Sequence, residues 1–411
     1  MSPTTHRRQI PRWSELRPLV RRRPLVANPT DRRLARAHTI EDLRAIARSR
    51  TPRSVFDYVD GAAEGEVSIG AARRAFRDCV FHPRVLRDVS SVTPQATILG
   101  SASALPLVLA PTGFTRLMHH EGELAVARAA AAAGVPYTLS TMGTTSIEEL
   151  AAASEPGARN WFQLYLWKDR DASRNLIDRA RTAGFEALVL TVDTPVAGAR
   201  LRDVRNGFTI PPTLTARTVA DISLHPAWWF NLLTTRPLEF ASLTSWGGTV
   251  AELVNQMFDP SVGVEDLAWL RAQWTGKLVV KGIQSVADAQ LVTDLGADAV
   301  VLSNHGGRQL DRAVNPLRLL PEVVAAVGDR AEVFIDTGIM NGADLVAAAG
   351  LGATAGLVGR GYLYGLMAGG SRGVTRALQI FETQATRTMQ LLGVTRLADL
   401  DAAHVSLAAS T

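Results

Sequence analysis

Ala299-Val300-Val301-Leu302-Ser303-Asn304-His305-Gly306-Gly307-Arg308-Gln309-Leu310-Asp311 is the stretch that decides how this chain is read. Its apolar, β-branched opening makes a short buried strand, which ends at once in a serine, a histidine, two glycines and an arginine. Histidine supplies a base, arginine a fixed cation, and glycine lets backbone approach a ligand closely. A strand that ends this way marks a candidate active site.

Working outward, apolar runs of the same kind recur at Leu105–Pro111, Val135–Thr141, Trp161–Trp167, Ala187–Asp193, Lys277–Gly282, Glu332–Gly338 and Ala355–Gly361, giving eight with the first. Helix-like segments lie between them at Glu123–Ala133, Ile147–Ala153, Ser173–Ala183, Ser285–Leu295 and Gly342–Gly350, several closed by glycine. Eight doubly buried strands alternating with helices predict an α/β fold, a parallel (β/α)8 TIM barrel. An open doubly wound sheet is the other arrangement, but no strand leads into a GxGxxG turn. Ahead of the barrel, the capping signal Thr39-Ile40-Glu41-Asp42 and a second start near Pro52 predict an N-terminal helical extension.

Chemistry in such a barrel gathers at the C-terminal strand ends. Those ends read Pro111-Thr112-Gly113, Ser140, Gln163 and Tyr165, Thr191 and Asp193, Lys281, Ser303 and His305, Asp336 and Gly338, and Gly359 with Arg360. A purely structural barrel has no need of polar groups at nearly every end. Glycines and an arginine after the last two strands suit a phosphate held by backbone N–H groups. With Lys281 opposite, the mouth fits a flavin mononucleotide.

Composition sets the outer bounds. The 411 residues are 46% apolar and 20% charged, as in a globular protein, and the single Cys79 excludes an intramolecular disulfide or a cysteine-rich metal site. No run approaches the roughly 20 apolar residues of a membrane span, so a cytoplasmic location is expected. Of the net charge of +5, the first 36 residues contribute +8, through ten arginines against Glu15 and Asp31. A basic arm over residues 1–38 therefore precedes the catalytic domain of 39–411, and it suits nucleic acid, anionic lipid or mere solvation equally. About 80 residues separate the fourth run from the fifth, implying an insertion at about 205–265 over the active-site face. Its His225-Pro226-Ala227-Trp228-Trp229-Phe230, Leu232-Leu233, Phe240 and Trp246 suit a lid, a subunit contact, a membrane-interface patch or simply a buried helix.

The opening motif, with Tyr58 and Gly61-Ala62, Ala110-Pro111-Thr112, Gln163-Leu164-Tyr165, Thr191-Val192-Asp193-Thr194-Pro195, Arg200 and Val280-Lys281-Gly282, resembles the FMN-dependent 2-hydroxy acid dehydrogenases and oxidases from about Thr39 to His404. Most similar are the bacterial quinone-linked L-lactate dehydrogenases. The resemblance implies FMN as cofactor, a small 2-hydroxy acid as substrate, a homotetramer, and no nucleic-acid partner. It makes His305 the base, with Asp193 stabilising its imidazolium and raising its pKa, and gives Tyr165 a hydrogen bond to the reacting oxygen. Arg200, Arg308 and Tyr58 then clamp the substrate carboxylate, while Pro111, Thr112, Gly113, Ser140, Gln163, Thr191, Lys281, Ser303, Asp336, Gly338, Gly359 and Arg360 surround the cofactor.

Two positions depart from the pattern. Met340 stands where many members carry a phosphate-binding arginine, leaving more of that task to Arg360 and backbone donors. Met142 stands where glycolate oxidase has tryptophan, which disfavours glycolate and admits lactate or somewhat larger acids. The electron acceptor is not encoded in these motifs. Oxygen, as in an oxidase or monooxygenase, is the alternative to quinone, and a non-catalytic barrel binding nucleic acid or lipid is the alternative of another class.

Overall fold

A computed structural model describes residues 10–19, 27–207, 215–243 and 259–408. Eight parallel strands close a barrel: β1 (Leu107–Leu109), β2 (Tyr137–Ser140), β3 (Asn160–Leu164), β4 (Ala187–Thr191), β5 (Lys277–Ile283), β6 (Ala299–Leu302), β7 (Glu332–Ile335) and β8 (Ala355–Val358). Neighbours follow chain order, and β8 pairs with β1 to complete the ring. The helices expected between strands appear as Gly122–Ala132, Ile147–Ala152, Arg170–Thr182, Val286–Asp294 and Gly342–Gly350.

The continuous apolar runs arise because both faces of each strand are buried. Val108, Trp161, Val189, Val279, Val301, Phe334 and Leu357 cluster together, and Trp161 stacks on Phe334 at 6.1 Å between ring centroids. The intervening Leu107, Leu109, Phe162, Leu164, Leu188 and Leu190 join the larger core with the surrounding helices. Because side chains alternate along a strand, the residue two positions past each member of the inner cluster shares its side. Those residues are Ala110, Gln163, Thr191, Lys281, Ser303, Asp336 and Gly359, so one periodicity carries the polar groups to one end. A hairpin of Ala96–Ile98 and Ser101–Ser103 sits with this inner cluster through Ile98 and Leu99, and Leu99 N–H donates to Glu332 Oε2 at 2.9 Å.

Ahead of the barrel, Thr39 caps the Ile40–Arg50 helix by accepting from Asp42 N–H at 3.1 Å, and Arg53–Asp60 follows with Val55, Phe56 and Val59 buried. A third helix, Val67–Arg77, was not anticipated from the sequence. Asp60 joins these pieces, accepting from Arg44 at 2.6 and 3.0 Å, Arg202 at 2.9 Å and the Tyr364 hydroxyl at 2.8 Å. Burial opposes charge on Asp60, but these donors outweigh it and hold the carboxyl far below the usual range.

The arm joins the fold before residue 38. Asn28 caps Pro29–Leu34, Leu34 is buried, and Arg33 reaches the Ala368 carbonyl at 3.0 Å; Arg7, Arg8 and Arg21–Arg23 lie outside the described residues. After β4 the chain forms helices Leu201–Arg205, Ala216–Ser223 and Pro226–Leu233 before Val264–Gln273 resumes the barrel pattern. No residue of Pro226–Leu233 is buried, although Trp228 Nε1–H donates to Leu117 O at 2.8 Å, and Phe240 packs edge-on against Phe114 at 4.6 Å. The buried-helix reading therefore fails for this segment. Trp246 lies outside the described residues.

Asp60→Asn removes the charge that two guanidiniums converge on, which should destabilise the fold by about 2–3 kcal/mol at pH 7 in denaturant titrations. A depressed carboxyl contributes fully above its unfolded pKa of about 3.9 and less as pH falls towards the folded value, so the difference from wild type should narrow below about pH 4. An unchanged denaturation midpoint at pH 7 would contradict the role given to Asp60.

Candidate active site

A cavity of about 490 Å3 opens at the C-terminal end of the barrel. Pro111, Thr112, Gly113, Ser140, Gln163, Tyr165, Thr191, Lys281, His305, Asp336, Gly338, Gly359 and Arg360 line it, as their strand-end positions imply, together with Tyr58, Met142, Arg200 and Arg308. Asp193 and Ser303 do not reach its wall. They stand behind residues that do.

Asp193 lies behind His305, with Oδ1 2.9 Å from Nδ1. This fixes the ring and leaves Nε2 without a partner among the described residues. The approach requires a bulge in β5: the register shifts between Lys281 and Ile283, and Gly282 adopts φ +111°. A Cβ at Gly282 would meet the Asp193 Cβ at 2.7 Å, so only glycine permits the carboxylate its place. His305 itself sits at φ +60°, a costly left-handed conformation for a non-glycine residue, held by Ser303 Oγ accepting its N–H at 2.9 Å.

The protonation balance at this pair differs from the sequence expectation. Asp193 was expected to raise the pKa of His305; instead the pKa falls below its ordinary 6.5, because burial disfavours the cation and nearby Lys281 and Arg200 add to it, together outweighing Asp193. Burial also works against the charge of Asp193, but His305 and Lys281 overcome it and its carboxyl lies below the usual range. The pair therefore rests as carboxylate and neutral imidazole at pH 7, the form in which histidine accepts a proton.

Ser303 organises the opposite side. Its hydroxyl accepts from Lys281 Nζ at 2.9 Å and donates to Asp336 Oδ2 at 2.8 Å, while Lys281 Nζ lies 3.1 Å from the same oxygen. Burial disfavours the ammonium, but Asp336 and Asp193 prevail and raise its pKa, so a full positive charge faces the cavity. Across β2, β3 and β4, Gln163 accepts from Ser140 Oγ at 3.1 Å and donates to Thr191 Oγ1 at 3.1 Å. These bonds fix which way the amide points.

Four arginines complete the lining. Arg308 donates to the carbonyls of Tyr58 and Gly61 and lies 4.9 Å above the Tyr58 ring; burial, with Arg200 beside it, brings its pKa down to about 9, still charged at pH 7. Arg200 lies 6.0 Å from the same ring, and its buried Nε has no hydrogen-bond partner among the described residues. Arg360, expected at a phosphate, spends three donors on the carbonyls of Val59, Gly306 and Gly61 at 2.7–3.0 Å, leaving two N–H groups. Arg73 of the Val67–Arg77 helix was missed from sequence: it lines the cavity, reaches Met340 Sδ at 4.0 Å, and keeps a buried, unpartnered Nε. The departure at Met340 was the available signal, since a cation lost there had to come from elsewhere. Asp203 also lines the wall near Arg200 and Arg308, where burial raises its pKa against their opposing pull.

The chain matches the FMN-dependent dehydrogenase family over residues 47–407. It belongs to that family. An L-lactate dehydrogenase of Caulobacter vibrioides is 42% identical over 88% of this chain and 95% of its own, and a relative in Mycobacterium tuberculosis, provisionally named an L-lactate dehydrogenase, is 58% identical over 97% and 96%. Among solved structures, the monotopic membrane protein (S)-mandelate dehydrogenase superposes with a TM-score of 0.87 at 38% identity, covering 91% of this chain and all of that one. A mandelate oxidase superposes at 0.78 with 39% identity over the same shares.

FMN is thus the cofactor of this enzyme, and the residues fit it. The Arg73 Nε, unpartnered among the described residues, a glycine at φ +107° in Gly338 and the spare donors of Arg360 would hold its phosphate near the ends of β7 and β8. The Ser140–Gln163–Thr191 chain and charged Lys281 offer donors and acceptors at the other side. The protein is an FMN-dependent 2-hydroxy acid dehydrogenase.

Because the pKa of His305 lies below 6.5, flavin reduction by a 2-hydroxy acid should be independent of pH from about 7 upward and slow only at lower pH. Asp193→Asn should slow it by about 100-fold or more, since the ring loses both its orientation and a counter-charge for the imidazolium. Anaerobic stopped-flow bleaching measures both, and a rate still rising through pH 8 would contradict the direction of the shift.

Proposed function

We propose that this enzyme oxidises L-lactate to pyruvate and passes the electrons to a quinone at a membrane surface. The observation that carries the substrate half is the pair of part-buried guanidiniums, Arg200 and Arg308, with no carboxylate bound to either among the described residues and the unbonded edge of His305 on the same cavity. Two like charges held together in a buried site call for an anion between them. A substrate carboxylate meets that need and brings C2 to the imidazole. The L-lactate names of the relatives at 58% and 42% identity support lactate among the acids that fit.

In this reading Arg200 and Arg308 bind and orient the carboxylate, and the Tyr58 and Tyr165 hydroxyls face the substrate from the cavity wall. His305 Nε2 takes the proton leaving the C2 centre, and Asp193 stabilises the imidazolium that results. FMN, when bound, would supply the two-electron sink that the oxidation requires. Lys281 would place its positive charge beside the flavin. Arg73 takes over at the phosphate the part that Met340 cannot play.

The acceptor half rests on the insertion. Leu224, Phe230 and Leu233 are 77%, 58% and 75% exposed on adjoining turns, and Val219 is half exposed. Exposed leucine and phenylalanine on a short helical hairpin suit the lipid interface, and no helix among the described residues is long and apolar enough to cross a membrane. The enzyme would then sit as a peripheral protein, a homotetramer on the cytoplasmic face. Binding to one leaflet matches the monotopic character of the mandelate dehydrogenase neighbour. A second substrate reading is an aryl 2-hydroxy acid, favoured by flexible Met142 in the wall and by the same neighbour.

His305→Gln should retain yellow, bound FMN and lose reduction by L-lactate by about 100-fold or more. Near-normal anaerobic bleaching in this variant would overturn the assignment, and faster bleaching by (S)-mandelate than by L-lactate in wild type would favour the aryl reading. Reoxidation of the bleached enzyme by a soluble quinone should outpace that by oxygen; the reverse order would make it an oxidase. Arg73→Met should weaken FMN retention in ultrafiltration by about ten-fold, as expected for one lost charge-assisted phosphate contact.

A further inference from the structure

A second cavity, of about 370 Å3, lies on the other side of Met118, which is the one residue lining both. Its walls come from the Pro29–Leu34 helix, the end of Ile40–Arg50, the His119-His120-Glu121 turn, the Pro226–Leu233 helix and a break at Gly369-Gly370. Nothing in the oxidation of a 2-hydroxy acid uses it.

Its charges do not balance. Three arginines, Arg33, Arg50 and Arg372, line it with two histidines, against Glu121 in the wall and Asp31 nearby. Asp31 is taken by Arg372, at 3.2 Å. Glu121 is committed to the helix break, where Oε2 accepts from Ser371 N–H at 2.8 Å, and a Cβ at Gly370 would stand 2.7 Å from both of its oxygens. Arg33 spends Nη2 on the Ala368 carbonyl and Thr30 Oγ1, but its Nε is buried and unpartnered among the described residues. Arg50 makes no ion pair or hydrogen bond among the described residues. Burial lowers the pKa of His119 to about 4, with His120 and Arg50 adding to the effect against Glu121, so the imidazole is neutral at pH 7 and has an N–H to donate.

We propose that this cavity is a binding site for a tetrahedral oxyanion of the phosphate class, held by Arg33, Arg50 and the His119–His120 pair. An oxyanion satisfies the orphaned Arg33 donor and supplies the counter-charge that Arg50 lacks. The potential ligand atoms of His119, His120 and Glu121 lie within 4.8 Å of one another, close enough for a metal ion, but the adjacent guanidiniums oppose a cation. The source of the oxyanion is either free phosphate or a phospholipid head group. Ala227, Trp228 and Asn231 of Pro226–Leu233 face the cavity, while Phe230 and Leu233 on the same helix face solvent. Occupancy thus bears on the helix whose Trp228 is bonded to Leu117, one residue from the wall of the FMN cavity. The inference does not depend on which acid or acceptor the enzyme uses.

The test uses full-length, FMN-loaded enzyme, so that the cofactor's own phosphate site is filled. Inorganic phosphate is titrated calorimetrically in phosphate-free buffer, and flotation is measured with phosphatidylcholine vesicles with and without phosphatidylglycerol. Arg50→Gln, which breaks no described hydrogen bond, should weaken phosphate binding by about ten-fold or more and leave flavin bleaching by substrate unchanged; Arg50→Lys should retain most of it. Vesicle binding that requires phosphatidylglycerol, is competed by phosphate and is lost in Arg50→Gln makes a head group the source. Phosphate binding that depends on Arg50, with flotation unaffected by the substitution, makes free phosphate the source. Equal phosphate uptake by wild type and Arg50→Gln overturns the site, as does zinc uptake abolished by His119→Ala in a protein that takes up no phosphate.

Discussion

The bond between Asp193 and His305 is the constraint around which the active site is built. Placing a buried carboxylate 2.9 Å from an imidazole takes a bulge in β5, a glycine with positive φ at 282 and a histidine forced into left-handed backbone. Each of these costs free energy that the surroundings must offset. Gln309 helps, donating to the carbonyls of Asp193 and Val196 and accepting from Gly198 N–H. Asp311 helps at a distance: it is buried and accepts from the N–H groups of Gly65, Val67 and Ser68, tying the Val67–Arg77 helix to the same loop. The dense motif from Ser303 to Asp311 is therefore chemistry in its first half and fastening in its second.

Charge follows from that geometry. Lys281 sits between two carboxylates, Asp193 and Asp336, and its positive charge is part of what keeps Asp193 ionised and His305 neutral. Base and cofactor cation are thus coupled through one carboxylate, and a change at either should be felt at the other. Around them, Arg73, Arg200, Arg308 and Arg360 bring more positive charge than the described wall neutralises, and Nε groups unpartnered among the described residues on two of them show where it is unmet. The FMN phosphate and the proposed substrate carboxylate would supply two such anions. The cavity is polarised before either arrives, so binding needs little rearrangement of dipoles.

Most of the fold was legible because the barrel rests on one simple periodicity. Apolar runs of strand length, with polar residues two positions beyond the inward-facing ones, place Gln163, Thr191, Lys281 and Asp336 at the mouth without knowledge of any contact. What the pattern could not carry is distance and balance. It put Asp193 near His305 but not the relative weight of burial, Lys281 and Arg200, and so the pKa of His305 came out with the wrong sign. It put Arg360 at the cradle but not the three carbonyls competing for its donors. Arg73 was invisible for another reason: its helix carries ordinary amphipathic spacing, and nothing local says that one polar residue turns inward toward a site built from strands far along the chain.

The electron acceptor is governed by parts of the molecule that this periodicity does not reach. Dehydrogenase and oxidase neighbours superpose on the chain at almost the same identity, so the shared barrel and its base cannot distinguish an organic acceptor from oxygen. The distinction must come from what covers the mouth and from where the protein sits. Here Pro226–Leu233 is fastened inward by Trp228 and presents Phe230 and Leu233 outward, beside a cationic cavity that Met118 separates from the FMN site. The proposed lipid contact and, if its source is a head group, the proposed anion beneath the same helix would act in one direction, since both favour the helix settled on a negatively charged surface. On the proposed reading, such a surface near the catalytic mouth would select for acceptors that dissolve in it.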